Sequence, residues 1–519
     1  MNKLTQPLLL LATAIALLAP TTELQAQLPP VLTDGVPETM DPVGIFGTNI
    51  FNLPTDSIPS SGVAPFGDPS GAVLNQVNVG AGGNLPNSFL DQEVHFSEVN
   101  IADGGDTSSQ LHFFNSEVNI ASGGSIGAIL TIEAGGTLNV ADGAGSIGSN
   151  QNINAGGTAN INGGTSGGAF SANVGSTVNI GGTAAINGNL NDFDGTVNIS
   201  GGSISSSTDF TSTSTANISG GTFGSNIDFD GQVAFSGGSF GSNFNVNSGA
   251  TGLDGGAVVI DDITVVSGGT DIFAATIVNG GNFTASADFE IGSSGSVING
   301  GTFGNNTDFI DDITINGGTF GTNTDIGNFS DTSTTQQANP TVTINGGTFT
   351  ELDVDSGTTN IFGGTFIGGT TGVALAAGAT RDNDALGTIN LHGGDVQGLI
   401  EAFGNLNLYG TDFAIDGELI SGESITVGEG SLLTGVLEDG NSINLVLNQG
   451  FNFINTDGSE SQFPDSNEGL SFFGLFGENG NTGGTLTANG TTINVVPEPG
   501  SLSILALGAL GMMTRRRRR

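Results

Sequence analysis

The chain of 519 residues has no cysteine and no tryptophan, a single tyrosine and only seven basic side chains. Each shortage excludes something. Without cysteine there is no disulfide framework, no thiolate nucleophile and no thiolate metal site. The bases are Lys3, Arg381 and the run from Arg515 to Arg519. Neutralising phosphates takes clustered Lys and Arg on a folded surface, so nucleic acid is excluded as a partner. The shortage of Trp and Tyr removes the amphipathic rings on which sugars usually stack. What the chain does have is 89 Gly, 33 Phe and 50 acids, for a formal net charge of -43. Hydrophobic residues make up 36%. A disordered acidic tail would be poor in Phe, Val and Ile, and this chain is not. Composition leaves a secreted β protein rich in Gly, Asn and Thr.

The two ends read as addresses. Residues 1–26 have the layout of a secretory signal peptide: Lys3 in front, an apolar helix from Leu8 to Ala19, Pro20, and Leu24-Gln25-Ala26 as a cleavage site that ends at Ala26. The apolar run is too short to span ~30 Å of hydrocarbon. At the other end Val496-Pro497-Glu498-Pro499 is followed by an apolar stretch, Leu502 to Met513, and then by the arginine cluster. The prolines break any strand or helix before them. A short hydrophobic helix follows, and the arginines stay on the cytoplasmic side. Gly500 to Met513, about 14 residues at ~1.5 Å each, reach only ~21 Å. That is short of the hydrocarbon core unless the Arg side chains snorkel, which suits a transient signal.

This order of motif, apolar helix and basic cluster resembles the PEP-CTERM sorting signal of Gram-negative bacteria that make exopolysaccharide. The resemblance covers residues 496–519. It implies export across the inner membrane, transient anchoring by the tail helix, and processing by a membrane enzyme, exosortase, near the Pro-Glu-Pro motif. Pro497, Glu498, Pro499, Arg515, Arg516, Arg517, Arg518 and Arg519 are the sorting and processing residues so implied. Removal of both ends would leave 48 acids against Arg381 alone, a net charge of -47.

The middle of the chain repeats itself. Val197 to Ile204 (VNISGGSI), Ala216 to Phe223 (ANISGGTF) and Val233 to Phe240 (VAFSGGSF) share one pattern. It continues at Ile277 to Phe283, Val297 to Phe303, Thr314 to Phe320, Thr343 to Phe349 and Asn360 to Phe366, and fades at Ile389 to Val396. Looser copies precede it at Val99 to Gly105, Val118 to Gly124 and Val178 to Gly182. A period of about 17–20 residues cannot hold a helical hairpin and fits one coil of a β-solenoid. Longer gaps, such as Gly317 to Gly346, read as coils with insertions.

Strand alternation predicts Val197 and Ile199 inward and Asn198 outward, with the glycine pair forming a corner. The Phe after each corner points inward. A second inward Phe follows it in the same coil: Phe229 after Phe223, Phe244 after Phe240, Phe289 after Phe283 and Phe309 after Phe303. Two aromatic ladders are therefore expected along the interior. Asn226, Asn243, Asn305 and Asn323 recur near the second corner, either as a side-chain ladder or simply as turn-formers.

The predicted fold is all-β: a parallel β-helix over 75–415 with a small C-terminal β domain over 416–495, a signal helix at 1–26 and a short hydrophobic helix within 496–519. From 75 to 415 there is space for about 18 coils, a rod of ~85 Å at the strand spacing. Residues 27–74, which hold Pro29, Pro30, Pro37, Pro42, Pro54, Pro59, Pro65 and Pro69, read as a partly disordered lead-in. The hairpin Leu432 to Leu437 with Ser442 to Leu447 anchors the cap, and Gln462 to Asn481 reads as an exposed loop.

Parallel β-helices also carry polysaccharide lyases and pectin-type glycosidases. A uronate lyase needs cations against the substrate carboxylate, and only Arg381 is at hand. The polygalacturonase-type pattern combines Asn-Thr-Asp, paired Asp, Gly-His-Gly and a basic motif. Here Asn323-Thr324-Asp325 and the pairs Asp261-Asp262 and Asp311-Asp312 occur, but His392 stands in Leu-His-Gly-Gly and the basic motif is missing. Two carboxylates at ~5–9 Å would still serve hydrolysis in principle. Tandem calcium β-roll repeats and EF-hand loops do not occur, so weak surface binding of divalent cations is the only metal expectation. His95 and His112 stand in similar strings, Val94-His95-Phe96 and Leu111-His112-Phe113, and are expected in stacked coils. No residue is assigned a catalytic, cofactor or metal role. The sequence thus points to a non-enzymatic, adhesin-like rod at the cell envelope, cell surface or extracellular matrix. The repeats also resemble autotransporter adhesin passengers without their membrane barrel. Exosortase, extracellular polysaccharide and other matrix proteins are the expected partners, with a polysaccharide-acting glycoside hydrolase on the same scaffold as the alternative.

Overall fold

The structure, a computed structural model, describes residues 50–53, then 75–448 apart from short internal stretches of which 328–338 and 378–386 are the longest, then 471–474 and 485–496. The described residues form a parallel β-solenoid of about 15 turns and contain no helix. Sixteen consecutive parallel pairings link the first-face strands from Asn75–Val79 to Asn405–Leu408, so 17 rungs stand close to the number of coils expected there. Both terminal helices and most of the lead-in lie outside the described residues. Within the lead-in, Ile50–Leu53 pairs in parallel with Asn75–Val79 and forms a first rung.

One coil shows the plan. Thr196–Ile199 lies on a first face, Ser203–Ile204 on a second and Thr208–Phe210 on a third. The next coil repeats all three in parallel register, with Thr196 beside Thr215, Ser203 beside Thr222 and Thr208 beside Ile227. Each face is thus a sheet whose strands come from successive coils. Val197 and Ile199 are buried and Asn198 is half-exposed, as the alternation requires.

The glycine pair is needed twice over at each sharp corner. A side chain on Gly317 would bring a Cβ within 2.7 Å of the Asn299 carbonyl oxygen in the coil below. Gly318 has φ 112°, which any other residue adopts only with strain. The first glycine permits close stacking and the second permits the turn.

The phenylalanines form the interior spine. Phe223 and Phe240 stack at 4.5 Å, and Phe283, Phe303, Phe320, Phe349 and Phe366 continue with centroid spacings of 4.9, 4.8, 4.6 and 5.2 Å. These values track the ~4.8 Å strand spacing, so the rings ride on the backbone ladder. Val265 stands in register between Phe240 and Phe283 and interrupts the column. On the third face Phe193, Phe210 and Phe229 stack, and Phe289 and Phe309 resume the column after Val246 and Ile272. Phe244 departs from the expected second ladder: it pairs with Ile227 and Thr270, one column over, because it opens its strand where Phe229 closes its own. The two histidine strings lie in stacked coils as expected, Gln92–His95 pairing in parallel with Leu111–Phe114, but two residues out of register: His95 pairs with Phe114 and His112 with Glu93.

Outside, the solenoid carries ladders of amides. On the first face Asn100 donates to Asn78, and Asn119, Asn139, Asn160, Asn179, Asn198 and Asn217 each donate through Nδ2 to the Oδ1 of the rung before, at 2.7–3.1 Å. A second amide ladder, at the residue before the glycine pair, links Asn279, Asn299, Asn316 and Asn345, and Asn279 in turn donates to Asp261 in the coil before. At the second corner Asn226, Asn243 and Asn323 have φ near 60°, and so does Asn306 in place of the expected Asn305. Asn243 also donates to Asn226 at 2.6 Å, so the turn-former and ladder readings hold together there.

The ladder changes the expectation for Asn198. An outward residue alone would tolerate Asp almost silently. As a rung, Asn198 donates to Asn179 and accepts from Asn217. An aspartate cannot donate, and it sets an acceptor against the Asn179 oxygen. Asn198→Asp is expected to cost about 1–3 kcal/mol, the penalty of an unmade partly buried hydrogen bond, read as a lower urea midpoint at neutral pH.

At the C-terminal end the coils give way to antiparallel pairs. Gly410–Ile415 and Ser431–Leu437 pair, and Ser431–Leu437 forms the expected hairpin with Ser442–Asn448. Ser471–Gly474 lies inside the expected exposed loop, yet it is a strand wedged between Leu399–Ala402 and Ser442–Asn448, so it prolongs the third face. Thr485–Ala488 similarly prolongs the first face beside Asn405–Leu408.

Candidate functional site

A ladder of amides satisfies itself, because each rung both donates and accepts. A ladder of carboxylates cannot. The third face carries such a column. The middle residue of each three-residue strand points outward, and in successive coils it is Asp209, Asp228, Asn245, Asp271 and Asp288. Phe289 pairs with Phe309, which places Asp308 next, and Asp325 and Asp353 follow in direct register. Asp355 sits two residues beyond Asp353 at the corner.

The column is deepest at its C-terminal end. Asp325 is 6% exposed and Asp355 5%. Among the described residues neither Asp325 Oδ1 nor Asp355 Oδ2 has a hydrogen-bond partner. Burial, then the neighbouring charges of Asp353, Asp308, Asp355 and Glu351, push the Asp325 carboxyl up to about 8. Burial and Asp308 push Asp355 to about 7. Burial also raises Asp271 and Asp308. No group of three or more acidic or histidine side chains among the described residues converges to hold a metal ion.

The column absorbs one of the candidates read from the sequence and separates the others. Asn323 takes the positive-φ corner, Thr324 is buried inside and Asp325 points out, so the three do not face a common substrate position. Asp261, Asp262, Asp311 and Asp312 lie at corners on another edge: Asp261 ends the amide ladder, and Asp312 accepts from the Thr341 amide. The column itself is legible in the repeated middle Asp of Thr-Asp-Phe, Ile-Asp-Phe, Ala-Asp-Phe and Leu-Asp-Val once the alternation is applied to the third strand.

His392 and the single tyrosine have a structural setting. At the position of the second amide ladder, Phe362, His392 and Tyr409 continue the column as stacked rings, with centroids 4.7 and 4.1 Å apart. His392 Nδ1 lies 2.8 Å from Glu438 Oε2, and the Glu438 and Asp439 amides donate to the Tyr409 and His392 carbonyls. The stack thereby docks the cap hairpin onto the solenoid. His112 Nδ1 lies 3.6 Å from Glu133 Oε1, a looser surface contact.

Ala26, Pro497, Glu498, Pro499, Arg515, Arg516, Arg517, Arg518, Arg519 and Arg381 lie outside the described residues. No helix among the described residues is long and apolar enough to cross a membrane. The sorting residues are instead identified by comparison. Residues 495–519 match the PEP-CTERM protein-sorting motif. The motif implies an exported, cell-surface protein processed by an exosortase-type enzyme. No curated protein and no solved structure matches the chain.

Proposed function

We propose that this PEP-CTERM protein is a non-enzymatic, adhesin-like rod, displayed at the cell surface or in the extracellular matrix after transient anchoring in the inner membrane. The observation that carries this is the exterior itself. Self-satisfied amide ladders run along the solenoid from Asn78 to Asn217 and from Asp261 to Asn345, with glycines at the corners, an arrangement that holds a stiff, repeating shape. A net charge near -47 after processing keeps such rods apart and soluble. Thr, Ser and Asn along the faces offer hydrogen bonds to extracellular polysaccharide or to other matrix proteins. Mass spectrometry of the protein recovered from its own cells tests the placement: the expected C-terminus lies near Pro497, without the arginines. An intact Arg519 on surface material would contradict it.

A glycoside hydrolase is the second reading, and the acidic column is what favours it. Neighbouring rungs stand at about the ~5 Å carboxylate separation of retaining enzymes, and Asp325 has the raised pKa of a general acid. Against it, Asp325 at 6% exposure is poorly placed to meet a polymer. A panel of acidic and neutral polysaccharides assayed for reducing-end release separates the two; release lost in Asp325→Asn would establish the hydrolase.

A further inference from the structure

We propose that the second amide ladder is a site of self-modification, in which Asn345, Asn316, Asn299 and Asn279 deamidate in that order, from the open end of the ladder towards Asp261. Each of these residues is followed by glycine, at Gly346, Gly317, Gly300 and Gly280. Two separate demands of the fold create the pair. The ladder calls for an amide side chain. Stacking calls for glycine after it, since a Cβ there would meet the carbonyl oxygen of the preceding rung at 2.6–2.8 Å. Glycine also leaves its own amide nitrogen unshielded. That nitrogen attacks the Asn Cγ, the Cγ–Nδ2 bond breaks, and ammonia leaves with the amide proton. Water then opens the resulting cyclic imide at either carbonyl, giving aspartate or isoaspartate. All four asparagines are exposed, so water reaches them.

The hydrogen bonds set the order. To reach the glycine nitrogen, a carboxamide must swing out of the ladder. Asn279, Asn299 and Asn316 each donate to the rung before and accept from the rung after, so each gives up two bonds. Asn345 donates to Asn316, but the next rung is Phe362, whose ring has nothing to donate. Asn345 therefore gives up one. A hydrogen bond of ordinary net strength slows the step about three- to tenfold. Once Asn345 has become an acid it cannot donate. Asn316 is then held by one bond in its turn, and the ladder opens rung by rung. Asp261, already an acid, closes the far end, where only an acceptor is needed. Two other settings isolate the two causes. Asn198 and Asn217 sit in a ladder of the same kind but precede Ile199 and Ile218, whose branched side chains crowd the attack. Asn162 precedes Gly163 but lies between Ala141 and Gly181 of the adjoining coils, so no ladder holds it.

The test follows each asparagine by peptide mass spectrometry while the purified full chain is held at mildly alkaline pH. Asn162 and Asn345 are expected to convert first and Asn316 only after Asn345. Asn299 and Asn279 are expected to lag Asn345 by about threefold or more. Asn198 and Asn217 are expected to stay intact. In urea the ladder is gone, and the four steps, each Val- or Ile-Asn-Gly-Gly, are expected to convert at one rate. Phe362→Asn adds a rung and should slow Asn345 several-fold, whereas Phe362→Ala, which loses the same ring, should not. Asn345→Asp should make Asn316 convert as fast as Asn345 does in the unaltered chain. Equal rates along the folded ladder, the same order in urea, or an Asn345 indifferent to Phe362→Asn would overturn the proposal. So would an Asn345 that stays intact after Asn162 has converted.

Discussion

Phe320→Asp is expected to abolish folding of the array. Phe320 is fully buried and lies between Phe303 at 4.8 Å and Phe349 at 4.6 Å, with Phe309 edge-on at 6.0 Å. Truncation to Ala already removes both stacking partners and leaves a cavity, at about 3–5 kcal/mol. Aspartate adds the burial of a charge with no cation beside it, and must take up a proton or expel its coil from the stack. Because each coil contacts only its neighbours, the loss propagates as a break in the rod and not as a local dent. Circular dichroism and solubility read the result: the Asp variant is expected to lose its β signal or aggregate. The Ala variant should fold with a much reduced melting temperature. An Asp variant that melts like the parent chain would place Phe320 at the surface.

The second large effect is on pH. In the absence of divalent cations, Asp325 titrates at about 8 and Asp355 at about 7, while an unfolded Asp titrates near 3.8. Between those limits the folded chain holds protons that the unfolded chain has lost. Stability therefore falls as pH rises, starting near pH 4 and levelling above about pH 8. Each unit of difference corresponds to about 1.4 kcal/mol. Residual solvation and motion reduce the sum, so a loss on the order of 2–5 kcal/mol across the range is expected for the pair. Urea midpoints between pH 5 and pH 9 in EDTA measure it. Asp325→Asn should flatten much of the slope, since asparagine keeps the shape and carries no titrating proton. A midpoint that climbs from pH 5 to pH 8 has the wrong sign and would show both carboxyls to be solvated or paired.

The coil, its corners and its first aromatic column are legible in the repeat unit because strand alternation and glycine chemistry act locally. Val197, Asn198 and Ile199 take their predicted directions, and the glycine pair serves both turn and stacking. What the string conceals depends on register between coils. Phe244 and Phe229 look equivalent in the string, yet a one-strand shift of two residues puts them in different columns. Likewise, His95 and His112 share a motif without sharing a rung. Asn198 reads as an ordinary outward residue until its neighbours at 19 residues on either side become its hydrogen-bond partners. The acidic column is the extreme case: each Asp looks like a solvated turn neighbour, and only stacking turns the set into a line of like charges with a buried end. The sorting motif at the C-terminus needs no fold at all, since its order of prolines, apolar stretch and arginines is linear information.

Small-angle X-ray scattering of the mature chain is the most direct check on the stacked-coil architecture. About 15 turns at ~4.8 Å per turn give a rigid body roughly 70 Å long with a constant, narrow cross-section. A pair-distance distribution with an early maximum and a long linear decline to at least that length is the expected result. A symmetric, globular distribution, or the swollen curve of an unfolded polyanion, would contradict a solenoid built on a phenylalanine spine.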